Sequence, residues 1–101
     1  MTSSVVRVRV AAIDGRCAVH RVGDEFVIRG PELVSRGPVC VHALPSILHY
    51  GMMLREGSDP VDIGLARKGR IARLACPDPG PPLTMGGCVI FELERIERAE
   101  D

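Results

Sequence analysis

The sequence predicts an α+β fold, a small antiparallel or mixed sheet packed against one main helix. Three observations carry that expectation. In Ser4–Ile13, Val6, Val8 and Val10 fall on one face and Arg7 and Arg9 on the other, the alternation of a half-buried strand. Only one stretch, Leu44 to Arg55, repeats apolar residues at helical spacing. Strand-like segments run in series around that helix instead of alternating with several helices, which favours α+β over a doubly wound sheet.

Each element has its own local reason. Asp14-Gly15 is a turn pair that ends the first strand. Asp24–Gly30 is a second strand entered through Gly23-Asp24, with Phe26 and Ile28 on one face and Glu25, Val27 and Arg29 on the other. Gly30-Pro31 stops it. Pro31–Cys40 reads as a loop broken by Gly37-Pro38, with at most one helical turn at Glu32–Ser35. The helix begins near Leu44 or Pro45, because proline is tolerated only in the first turn, and Gly57 is its natural stop. Ile47, Leu48 and Met52 are expected to face the sheet. Gly51 costs about 1 kcal/mol against alanine inside a helix, so its presence implies close packing. Gly57–Gly64 is a polar linker, and Gly69–Cys76 a third strand that turns Ala72, Leu74 and Cys76 inward. Residues 77–87 are too rich in proline and glycine for regular structure. Cys88–Ile96 is the last strand, with Val89, Phe91 and Leu93 on one face, and Glu97–Asp101 is a solvated tail.

Composition bounds the function classes. A chain of 101 residues is expected to be one domain, residues 1–101, burying roughly two thirds of its unfolded surface. With 3% aromatic residues and no tryptophan, its core must be mainly aliphatic. Thirteen basic residues balance thirteen acidic ones, so no global field draws the chain to nucleic acid or to an anionic membrane. The basic run Arg67–Arg70 has no aromatic neighbours and reads as a solvated loop, not a nucleic-acid contact. No apolar stretch reaches membrane-spanning length, and Arg7 and Arg9 interrupt the N-terminal apolar run, which argues against a signal peptide. A cytoplasmic location is therefore expected, with Cys17, Cys40, Cys76 and Cys88 reduced.

The cysteines and histidines admit three readings. Cys17-x2-His20 and Cys40-x-His42 each offer a soft and a borderline ligand, and with Cys76 they form a candidate set for zinc or iron. The paired cysteine or histidine knuckles of a structural zinc site are absent, however. In the plainest reading the thiols are small apolar core residues. In the third, Cys40 is a reactive thiol just before the helix, with His42 or His20 as its base and Asp78, next to Cys76-Pro77, as a pocket carboxylate. Asp24 and Asp78 otherwise read as turn residues bonded to their own backbone. His49 reads as a helix-surface residue and Tyr50 as an amphipathic edge residue. The stretch Cys17–Phe26 is first a turn feeding a strand, with Gly23 expected at positive φ. No phosphate-binding glycine loop, nucleophile elbow or His-Glu-x-x-His is present.

Several of these pieces recur together. Cys17 with "HRVGDEFVI", "VCVHALPSILHYGMMLREG", "ACPDP" and "VIFELERI", in that order and spacing, resemble a family of small prokaryotic proteins of about this length whose activity is undefined. The resemblance spans roughly residues 5–96. It implies that Cys17, His20, Gly23, Asp24, Cys40 and Cys76 occupy the family's recurrent positions. The chain departs from the pattern twice. Its Cys17-to-His20 spacing is one residue shorter, with Val19 where glycine is usual, and the loop after Cys76-Pro77-Asp78-Pro79 is longer, which implies an added lid or contact loop.

Two functions remain open on these observations. One is a Cys/His site that binds a metal or uses a reactive thiol on a small-molecule ligand, as a lyase, isomerase or cyclase. The other is a non-enzymatic module, a homo-oligomer or partner-binding subunit that covers its open sheet edges. The first requires convergence: Cys17, Cys40 and Cys76 should meet at one pocket with His20 or His42, while Cys88 stands apart at the start of the last strand.

Overall fold

The computed structural model describes residues 2–99. Its elements are β1 (Thr2–Gly15), β2 (Glu25–Arg29), β3 (Glu32–Ser35), α1 (Leu44–Arg55), β4 (Ile71–Ala75) and β5 (Gly87–Ala99). The strands form one sheet in the order β3-β2-β1-β5-β4, with every neighbouring pair antiparallel. The α+β class is observed, and the sheet is antiparallel throughout. No helix among the described residues is long and apolar enough to cross a membrane.

The central β1–β5 pair shows why the alternation works. Val8 opposes Leu93 and Val10 opposes Phe91, while Arg7 opposes Glu94 and Arg9 opposes Glu92. The apolar pairs build the core under α1. The charged pairs line the other face, where Arg7 meets Glu94 at 2.8 Å and Arg73 meets Glu92 at 3.1 Å. The register shifts between Val10 and Ala12. This bulge sets Ile13 opposite buried Val89, on the core side that strict alternation would have denied it.

Helix α1 has the expected bounds but a different buried face. Ile47, Gly51 and Leu54 are buried, whereas Leu48 and Met52 are each 38% exposed. Gly51 accounts for the correction, because a Cβ there would lie 2.7 Å from Ile28 Cδ1. The bare backbone seats against the sheet, and the i, i+4, i+7 line through Gly51 turns inward in place of the Leu48–Met52 line. Leu54→Ala should therefore cost about 2–5 kcal/mol, and Leu48→Ala only about 0.5 kcal/mol. Paired urea curves check this, and equal losses would refute the rotated face. At the C-terminus Gly57 has φ +107°. Its N–H bonds Leu54 O and that of Ser58 bonds Met53 O, both at 3.0 Å, the double bond of a Schellman stop.

Three further sequence readings need correction. Glu32–Ser35 is neither loop nor helical turn but strand β3, paired with β2 from Phe26↔Ser35 to Arg29↔Glu32. Gly30-Pro31 is the two-residue loop of that hairpin. All four residues of β3 are exposed, so no inside–outside contrast marks them. The presumed linker also packs: Pro60 is buried, and Ile63 and Leu65 lie against the core. Finally, Glu97–Ala99 continue β5 against Thr2–Ser4 of β1; the last two tail residues lie outside the described residues.

Candidate functional site

The loop between β1 and β2 is held by its own polar groups. Gly23 N–H bonds Val10 O and Val10 N–H bonds Asp24 O, both at 2.9 Å. Asp24 Oδ2 accepts Arg21 N–H at 3.0 Å, the backbone-bonding role expected of a turn aspartate. Gly23 has φ +96°, and nothing lies within 4 Å of a Cβ built there, so any substitution cost is backbone strain alone. Gly23→Val should destabilise by more than about 1 kcal/mol. Thermal melting checks this, and an unchanged midpoint would exclude the turn's role.

His20 ties this loop to the segment before α1. Its N–H donates to Cys17 Sγ at 3.2 Å, and its Nε2 accepts the Cys40 N–H at 3.1 Å. The side chain is buried, stacked on Phe26 with centroids 6.1 Å apart and edge-on to Phe91 at 5.5 Å. Since Nε2 accepts, the neutral ring carries its proton on Nδ1. Nδ1 lies 3.5 Å from Asp24 Oδ2 but makes no hydrogen bond among the described residues. His20 is thus a strut between two loops, and its Nε2 is not free to act as base or ligand. Cys40 in turn accepts Leu44 N–H on its carbonyl at 3.1 Å, so its backbone meets the start of α1, whose N-cap is Ala43.

On the far side, Cys76 closes the β4–β5 ladder. Its N–H donates to Val89 O at 2.9 Å, and Val89 N–H donates back to the Cys76 thiol at 3.2 Å. The sulfur occupies the place of a backbone carbonyl. Two residues on, Asp78 Oδ1 accepts Gly80 N–H at 2.9 Å and the Thr84 hydroxyl. The Thr84 hydrogen bond, followed by the Gly80 N–H, holds the Asp78 carboxyl below its usual range, with a smaller contribution from the charge of His42. Asp78 is therefore a fixed anion at neutral pH.

These segments enclose one cleft of about 1160 Å³. Cys17, His20, Cys40, His42, Cys76 and Asp78 all line it. Buried Val89 and Phe91 of β5 add apolar wall. The three cysteines and two histidines thus converge on one cavity. They do not close into a ligand set: among the described residues no three His, Cys, Asp or Glu side chains form a group able to hold a metal ion. The set Cys17, His20, Cys40, His42 and Cys76 therefore does not assemble as a zinc or iron site, and the His20 Nε2 lone pair is already taken by the Cys40 N–H.

Cys88 does not line the cleft, and its pKa is raised, first by burial and then by the Cys76 thiol. His49 and Tyr50 pack on each other at 4.8 Å away from the cleft lining. Sequence reading missed Thr84 and Phe91 as site residues. Thr84 sits in an irregular loop where only its bond to Asp78 reveals it, whereas Phe91 was legible as core but not as cleft wall. Comparison with protein-family models, with curated proteins and with solved structures gives no match for this chain.

Proposed function

We propose that the cleft binds a small organic molecule and acts on it through the Cys40 thiol, as a lyase, isomerase or cyclase. His42 takes the thiol proton, and the fixed Asp78 carboxylate orients a donor group of the ligand. The observation that carries this reading is the convergence of Cys40 and His42, from the segment before α1, with Asp78, from the loop after β4, on one largely apolar cavity. Such a cavity with a few polar groups is the usual form of a small-molecule site. Cys40 stands two residues from His42 in sequence and both line the cleft, which is why this thiol and this base are assigned together.

Iodoacetamide tests the assignment. In the native protein Cys40 should alkylate first of the four thiols, and His42→Ala should slow it about a hundredfold, the low end of general-base effects. Peptide mapping at short times reads both. Alkylation of Cys17 or Cys76 ahead of Cys40 would remove Cys40 from the role.

Kinship with the small prokaryotic family belongs to the same proposal. Its support is that Cys17, His20, Cys40 and Cys76, recurrent positions there, all line the cleft. A cytoplasmic location with reduced thiols and no nucleic-acid partner accompanies it, supported by the balance of thirteen basic and thirteen acidic residues. A second reading, a non-enzymatic oligomeric or partner-binding module, is favoured by edge strand β3, which leaves Leu33 and Val34 exposed. Light scattering distinguishes it: a monomer at high concentration removes the homo-oligomer.

A further inference from the structure

We propose that Cys76 and Cys88 form a dithiol modification site, which a low-molecular-weight disulfide converts to an intramolecular Cys76–Cys88 disulfide. Cys76 directly follows β4 and Cys88 is the second residue of the adjacent antiparallel strand β5. The ladder continues to Cys76, whose N–H bonds Val89 O at 2.9 Å, so Cys88 immediately precedes the residue that Cys76 pairs with. The Cys76 sulfur touches both neighbours of Cys88 in sequence: it accepts Val89 N–H at 3.2 Å and lies 3.5 Å from Gly87 O. It is therefore held beside the ladder, against the backbone on either side of Cys88.

The other two cysteines are held elsewhere. Cys17 is bonded to the His20 amide, and Cys40 is tied through its own amide to the His20 ring. Both belong to the His20 side of the cleft. Cys76 lines the cleft and Cys88 does not, so a dissolved disulfide reaches Cys76 first.

The chemistry is ordinary thiol–disulfide exchange. The Cys76 thiolate attacks one sulfur of a disulfide RSSR, the S–S bond breaks, and RS⁻ leaves and takes a proton. Cys88 then loses its proton and attacks the Cys76 sulfur of the mixed disulfide, expelling a second RS⁻. Two protein thiols are oxidised and RSSR is reduced to two RSH. The new bond closes the loop of residues 77–87, which carries Asp78 and Thr84. The proposal does not depend on any ligand of the cleft.

Incubation of the whole protein with glutathione disulfide, followed by iodoacetamide quenching and peptide mapping, provides the test. The expected result is loss of the Cys76 and Cys88 thiols, a cross-linked peptide pair joining the two, and no glutathione retained on either. A Cys17→Ser variant should form the same cross-link at the wild-type rate, and Cys88→Ser should stop at one glutathione on Cys76. Four thiols still alkylatable, a cross-link through Cys17 or Cys40, or a cross-link between chains would each overturn the proposal. The wild-type map alone decides the pairing, so it does not depend on either serine variant folding.

Discussion

Phe91→Ala is expected to lower the unfolding free energy by about 3–5 kcal/mol, the usual cost of truncating a buried aromatic. Phe91 is 1% exposed and among the largest fully buried side chains. It opposes Val10 across the central strand pair and meets the His20 ring edge-on at 5.5 Å. The chain has only two phenylalanines and no tryptophan, so its mainly aliphatic core has few rings that could refill the space. Because Phe91 also walls the cleft, the cavity would open into it instead of collapsing. A urea-unfolding curve reads the loss, and a value under about 1 kcal/mol (the ordinary single-substitution level) would mean that Phe91 does not organise this core.

His20→Ala should cost about 2–5 kcal/mol, through lost packing between Phe26 and Phe91 and an orphaned Cys40 N–H. The two causes separate in a second variant. His20→Phe keeps a ring between the same neighbours but offers Cys40 no acceptor, and should lose about 1–3 kcal/mol, the cost of an unsatisfied buried donor. The expected order of stability is wild type, then His20→Phe, then His20→Ala. Hydrogen exchange at the Cys40 amide supplies the independent reading, since both variants should accelerate it. Unchanged exchange in His20→Phe would show that the imidazole does not hold that loop.

His20 also shows why the candidate site was only half legible. Its spacing from Cys17 was visible, and a metal ligand or base was a chemically reasonable inference from residue type alone. What decides between ligand and strut is the destination of one nitrogen, and that nitrogen accepts a hydrogen bond from the backbone of a residue twenty positions away. Cys76 repeats the lesson. Its sulfur serves as a backbone acceptor at the end of a ladder, a role that exists only once β4 and β5 are paired. Residue type names the chemistry a side chain can do, and the partners it meets decide which part of it remains available.

The elements set by local interactions were readable directly. Val6, Val8 and Val10 alternate with Arg7 and Arg9 because a strand presents opposite faces at successive residues, and the same alternation places Phe26, Ile28, Val89, Phe91 and Leu93 in the core. The helix start at Pro45, the Gly57 stop and the positive φ of Gly23 follow from backbone sterics of single residues, and the α+β class follows from their order. Tertiary structure alone decided the rest. Strand β3 exists because β2 offers an unpaired edge, with no burial contrast of its own. The rotation of α1 about Gly51 comes from contact with Ile28, distant in sequence. The bulge that brings Ile13 inward and the pairing of Cys76 with Val89 depend on the register of β5 against its two neighbours. Each of these is a contact between segments far apart in the chain, and such contacts leave no periodic trace in the residues that make them.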